Sequence, residues 1–240
     1  MTRWRDLPGE RLETYSPVGL IPTDAFTTRE PFGRIKVMLD IREANGVWRQ
    51  TDVKEIRTAS GVIAYPGLGR SATVFCQPAR RYRLRVEAEF YLPLYTKTAE
   101  GTLEGIEFDG FPYNDTYPPK NYPAQAADFP DYLKSVLRKL WLVPAPNYPF
   151  PNHVRVLRGV VVESNTERSV AGAEVSWGNK EIALTDKRGA FGLPLRVKGI
   201  EHLTEEQKID ANDRQVPLRQ GTIKIIIPKA LGTNQRIPIS

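Results

Sequence analysis

The chain has 240 residues, 40% of them hydrophobic, with one cysteine and a formal net charge of +6. That length buries a real core without disulfide staples, and Cys76 alone cannot form an intrachain disulfide. The small disulfide-rich secreted class is therefore excluded, as is a membrane-spanning helix, because charges or prolines interrupt every apolar run well before spanning length.

Residues 1–31 carry Pro8, Pro17, Pro22 and Pro31 and little periodicity. They read as an extended arm that either wraps a neighbouring subunit or lies along its own domain. The first ten residues have no apolar h-region, so the expectation is synthesis in the cytoplasm without a secretory signal. Residues 32–108 read as an N-terminal β-sandwich. Arg34 to Ile41 alternates polar and apolar residues, Asn45-Gly46 is a hairpin turn, and Val47 to Val53 returns as a strand. Gly61 to Gly69 is a short strand closed by a Pro-Gly turn. In Arg81 to Glu89 the charges of Arg81, Arg83 and Arg85 fall on one face, read as a solvated face salted by Glu87 and Glu89, with Tyr82, Leu84, Val86 and Ala88 on the other. No nucleic-acid fold signature accompanies this basic group, so nucleic acid is not expected as a partner.

Residues 109–152 form a Pro/aromatic connector. Proline fixes φ and removes a donor, which argues against an inner strand. A helix is predicted over 131–142, with Leu133, Val136, Leu137, Leu140 and Trp141 on one stripe between Pro130 and Pro144. Aromatic side chains bury much area with few rotors to freeze, so Tyr113, Tyr117, Tyr122, Trp141, Tyr148 and Phe150 are candidates for a subunit interface. The competing reading packs them against their own domains.

Residues 153–229 resume the β pattern, with strands at Val154–Glu163, Val170–Trp177, Lys180–Leu184, Ala190–Val197 and Gly221–Pro228. The last of these is expected to close the sheet, with 201–219 a polar insertion loop and 230–240 a free or partner-bound tail. The N-terminal β region echoes the opening strand and the Gly-apolar-Pro-Leu strand of this module, which suggests a weak pseudo-repeat. Three stretches carry a resemblance: Gly159-Val-Val-Val-Glu, Val170-Ala-Gly-Ala-Glu-Val and Thr185-Asp-Lys-Arg-Gly-Ala-Phe-Gly-Leu. In this order and spacing they resemble the carboxypeptidase regulatory-like domain, a transthyretin-like β-sandwich, with Val170 near the place where that family has proline. Physically, Gly172 and Ala173 leave room for a close crossing, Asp186 caps the following turn, and Gly189 takes positive φ there. The resemblance implies a scaffold and no catalysis, because in carboxypeptidases the module carries none of the active-site residues. The expected fold class is thus mainly β: two β-sandwich (Ig-like/transthyretin-like) domains joined by a connector with one short amphipathic helix.

Chemistry-bearing residues give no site. His153 and His202 lack a ligand partner at zinc spacing. Cys76 follows apolar residues and reads as a small buried hydrophobe. Gly67-Leu-Gly-Arg-Ser is a faint phosphate loop with no helix after it. Asp109, Asp115, Asp128 and Asp131 lack calcium-loop spacing. No catalytic, cofactor-binding or metal-binding residue is therefore assigned, and no cofactor is expected.

The function expected is that of a non-enzymatic structural subunit of a phage-like particle (tail, baseplate or contractile injection system), whose partners are other subunits and which does not insert into a membrane. Particle proteins assemble in the cytoplasm and act outside, which reconciles an exported-type module with the absence of a signal. The alternative is a carbohydrate- or ligand-binding sandwich using ring platforms such as Trp48 and Trp177. A third reading, an enzyme accessory or unrecognised hydrolase, needs a site the sequence does not display.

Overall fold

The computed structural model describes residues 14–72, 78–97, 103–178, 181–196, 205–216 and 219–240. The chain is mainly β, as expected. The strands of its first half are β1 (Gly19–Asp24), β2 (Ile35–Arg42), β3 (Trp48–Gln50), β4 (Ile56–Arg57), β5 (Ile63–Ala64), β6 (Arg80–Ala88), β7 (Tyr91–Pro93) and β8 (Ile106–Gly110). A 3-10 turn at Ala126–Asp128 leads into α1 (Phe129–Val136), followed directly by β9 (Leu137–Pro144). The second half holds β10 (Arg155–Glu163), β11 (Glu174–Trp177), β12 (Glu181–Leu184), β13 (Ala190–Leu195), β14 (Gln207–Asn212), β15 (Gln220–Ile225), the single turn α2 (Ile227–Ala230) and β16 (Gln235–Ile239). Two compact units emerge, made of the described residues of Met1–Ile21, Met38–Arg85 and Glu107–Lys139, and of Pro22–Val37, Val86–Ile106 and Leu140–Ser240.

In the first unit β5 lies between β4 and β1, with Gly19 opposite Ala64 and Leu20 opposite Ile63. The stretch expected to be an extended arm is therefore, from Gly19, a core strand: Val18 and Leu20 are 1% and 0% exposed. Apolar side chains bought burial where proline spacing suggested none. Residues 1–13 of that arm lie outside the described residues. The Asn45-Gly46 hairpin forms, pairing Arg42 with Trp48, but Gly46 alone takes positive φ, at 82°, and Asn45 does not. Leu39, Ile63, Tyr65 and Leu84 fill the interior, each at most 1% exposed.

The second unit contains a β-sandwich. Its three-stranded sheet runs β13-β10-β16 and its four-stranded sheet β12-β11-β14-β15. The alternation of each strand sends Leu157, Val161, Phe191, Leu193, Ile237 and Ile239 from the first sheet against Val175, Trp177, Ala183, Ile209 and Ala211 from the second. Asp186 caps its turn as expected: its Oδ1 accepts from Arg188 N at 2.8 Å and Ala190 N at 2.9 Å, and Gly189 sits at φ 73°. Gly172 has a different reason from the one read. Nothing lies within 4 Å of where its Cβ would be, and its φ of 71° is what selects glycine.

Three sequence expectations are corrected. The predicted helix over 131–142 ends at Val136, and Leu137–Pro144 is a strand whose Pro144, Val143 and Leu142 lie opposite Tyr91, Leu92 and Pro93. A short helix is marginal on its own, and proline disfavours helical backbone at Val143. Pairing with β7 buries Leu140, Leu142 and Val143 to 2%, 0% and 0% exposure and wins the competition. The loop expected over 201–219 contains β14, paired with both β11 and β15. The tail expected over 230–240 contains β16, which pairs parallel with β10 from Gly159↔Gln235 to Glu163↔Ile239.

Candidate functional site

Of the six aromatic residues read as interface candidates, the first unit holds three. Tyr113 is internal at 1% exposure, its ring edge-on to Tyr15 at 5.1 Å. Tyr117 is exposed. Tyr122 is half-buried and joins a chain of rings, with Tyr15 at 4.7 Å, Tyr132 at 5.3 Å and Phe129 at 6.0 Å.

That chain of rings walls a groove of about 610 Å³ beside α1. The helix forms because Pro130 suits its first turn and Lys134 bridges Asp131 at 2.9 Å, and it ends when Leu137 turns extended, its N–H still bonded to Leu133 O. Val136 takes the buried side of α1. Val18, Gly19, Val62 and Ala64 also line the groove, and a Cβ on Gly19 would press on the Leu137 side chain at 2.8 Å. Phe129, Leu133 and Leu137 keep 37–39% of their surface in solvent. Three large apolar residues in one lined depression form a patch that water solvates poorly. The helical stripe in the sequence pointed to Leu133 and Leu137. Tyr15 was not legible, because its contact with Tyr122, over a hundred positions away, leaves no periodic signal, whereas Phe129 and Tyr132 stand four positions before Leu133 and Val136 and extend that stripe. Burial, and secondarily Tyr122, pushes the Tyr132 hydroxyl up from its ordinary value.

The second unit holds the other three candidates. Trp141 is half-buried, and its carbonyl accepts from Leu94 N at 2.8 Å. Tyr148 is 4% exposed and packs with Phe26, Phe32, Tyr91 and Phe150 at ring distances of 4.7–5.8 Å. Its hydroxyl donates to the buried Asp24 carboxylate at 3.0 Å, and Tyr91 donates to the same oxygen at 3.4 Å. Tyr148 and Phe150 are thus used inside their own unit. Burial first, then Asp24, raises the Tyr148 hydroxyl far above its usual range. Burial likewise dominates at Tyr91, which is pushed up to about 12. A pair of substitutions separates a satisfied hydroxyl from an unsatisfied one. Tyr148→Phe is expected to cost about 1–2 kcal/mol, because Asp24 loses a donor. Tyr65→Phe is expected to be neutral or stabilising by up to about 1 kcal/mol, because the buried Tyr65 hydroxyl has no hydrogen-bond partner among the described residues. Urea unfolding of both variants reads the contrast.

The basic group on β6 is not the solvated face expected. Arg83 is buried and Asp40, from β2, is 1% exposed. The Asp40 carboxylate accepts from Arg83 Nε and Nη2 at 3.2 and 3.0 Å and from Arg85 Nε and Nη2 at 2.6 and 2.9 Å. The Trp48 ring lies 4.6 Å from the Arg83 guanidinium. Burial would raise the Asp40 carboxyl, but the hydrogen bonds and charge of Arg85 and then Arg83 outweigh it and hold the group below the usual carboxylate range. Arg81 pairs outward with Glu107 and Asp109 at 3.1 and 3.2 Å.

Among the described residues no three His, Cys, Asp or Glu side chains gather as metal ligands. Asp109 pairs with Arg81, Asp115 with Arg70 and Asp131 with Lys134. Cys76 and His202 lie outside the described residues. One of the two glycan platforms is corrected: Trp177 is 5% exposed inside the sandwich core, with its indole N–H on Gln207 at 3.3 Å. No described helix is long and apolar enough to cross a membrane.

No protein-family model matches the sequence, and no curated protein matches it. Among solved structures, a Streptococcal ancillary pilin overlaps 92% of this chain at 14% identity and a TM-score of 0.25, and the chain spans 61% of that protein's length. The shaft pilin SpaA of Lactobacillus rhamnosus GG overlaps 95% of this chain and 97% of its own at 11% identity and a TM-score of 0.24. TM-scores this low do not establish a shared fold.

Proposed function

We propose that the chain is a non-enzymatic structural subunit of a larger assembly, docked to its neighbours through the apolar groove beside α1. The observation that supports this most is the exposure of Phe129, Leu133 and Leu137 along one ring-walled depression. Burying such a groove against a partner removes apolar surface from water at little rotamer cost, since its aromatic walls are already packed on one another. The sandwich of the β13-β10-β16 and β12-β11-β14-β15 sheets supplies a rigid scaffold. The assembly in this proposal is a phage-like particle: a tail, a baseplate or a contractile injection system. Its support is the pairing of a scaffold sandwich with a docking groove.

Leu133→Asp places a charge in the groove on a side chain that is 39% exposed. The variant is expected to keep the parent's thermal midpoint while weakening partner binding at least about tenfold, since an unpaired charge in an interface costs more than about 1.4 kcal/mol. Co-sedimentation of the chain with its native assembly measures this. Undiminished co-sedimentation of the variant sinks the groove as the docking site.

A further inference from the structure

The Gly67-Leu-Gly-Arg-Ser stretch does not cradle a ligand with its backbone. Four of its five amides are spent inside the first unit: Gly67 N on Tyr15 O at 3.0 Å, Leu68 N on Tyr65 O at 3.3 Å, Arg70 N on Gly67 O at 3.1 Å and Ser71 N on Tyr113 O at 2.9 Å. It instead walls a small cavity of about 140 Å³, apart from the α1 groove. Arg70 and Ser71 line one side, and Arg80 and Tyr82 of β6 also line it.

All four side chains can donate a hydrogen bond, and two carry a positive charge. The carboxylate bonded to Arg70 is Asp115, at 2.6 Å, and its side chain is 69% exposed. An ion pair that open to solvent is weak and readily exchanged. Among the described residues, two guanidiniums against that one carboxylate leave one positive charge in excess. Glu107 and Asp109, the nearest acids along β8, are engaged by Arg81 rather than Arg80. A cavity of about 140 Å³ is roomy enough for a compact anion. Planar guanidinium forks match the oxygen spacing of carboxylate and phosphate.

We propose that this cavity binds a small oxyanion, a phosphate or carboxylate group held by Arg70 and Arg80 with Ser71 at its side. The ligand displaces Asp115 from Arg70. This stands independently of the docking groove, with which it shares no residue.

The test is a titration of the full chain with inorganic phosphate at constant ionic strength, followed by amide chemical shifts. Saturable shifts at residues 69–71 and 80–82 are expected, with a dissociation constant of about 1 mM. A parallel titration with acetate identifies the group: saturation by either ion supports the site, and the tighter one names the chemistry. Arg80→Met and Arg70→Met are each expected to weaken binding about tenfold. Asp115→Asn is expected to tighten it several-fold, because the competing carboxylate is gone, and this exposed substitution leaves the fold intact. Shifts that stay linear with both ions overturn the proposal. So does an Asp115→Asn chain that binds no more tightly than the parent.

Discussion

Deleting Gln235–Ser240 is expected to unfold the sandwich of the second unit. β16 fills one edge of the β13-β10-β16 sheet, and Ile237 and Ile239 are both fully buried in its core. Each truncation of such a side chain to alanine costs about 2–5 kcal/mol, so losing both removes most of a typical domain's stability of about 5–15 kcal/mol. Ile237→Ala alone is expected to lower the urea midpoint with an unchanged slope, and the deletion to abolish the cooperative transition. Two glycines are shaped to this strand. A Cβ on Gly159 would collide with the Gln235 carbonyl and the Phe191 ring, and one on Gly221 with the Pro238 carbonyl. Ser240 and Gln220 also exchange backbone hydrogen bonds at 3.3 Å. A deletion variant that melts like the parent would show that the strand only decorates the edge.

Asp40→Ala is expected to destabilise the first unit by about 3–5 kcal/mol, the usual result of stranding a buried charge. Arg83, with its side chain 9% exposed, would be left without the carboxylate that holds its Nε and Nη2. Double replacement by Asp40→Leu and Arg83→Met is expected to recover a large part of that loss, since a well-packed apolar pair substitutes for a buried ion pair at little cost. The same network fixes an acid dependence. The Asp40 carboxyl titrates lower in the folded chain than in the unfolded one. Its contribution is therefore complete above the unfolded value near 3.9 and is lost as pH falls through the folded value. The parent is expected to lose stability on acidification below about pH 4 more steeply than Asp40→Asn. Parallel acid curves for the two proteins would remove Asp40 from the account.

What the sequence made legible follows from how local each signal is. The Asn45-Gly46 hairpin and the Asp186–Gly189 turn were readable because two to four residues decide them. The alternation of β10 and β13 was readable because each strand's period is its own. The helix over 131–142 was half right: its stripe is real through Val136, but the rest is claimed by pairing with Tyr91–Pro93, about fifty residues away. β16 was read as a tail because Gln-Arg-Ile-Pro-Ile is short and carries a proline, which is tolerated where the strand lies at a sheet edge. Arg83 looked solvated because alternation says which face a side chain takes, not whether the other strand brings an aspartate to it. For the interface candidates, composition picked out rings that matter, and packing then divided them. Tyr113 and Tyr148 serve the interior, while Tyr122 opens onto the groove.

The central claim, that the chain acts by docking through the α1 groove, is tested most directly by cross-linking mass spectrometry of the protein in its native assembly. Lys134 and Lys139 lie on α1 and at the start of β9, beside the groove-lining Leu133 and Leu137, and serve as reporters. Cross-links from these two lysines to another polypeptide, lost in Leu133→Asp, are the predicted result. Cross-links from them only to this same chain, unchanged in the variant, would contradict it.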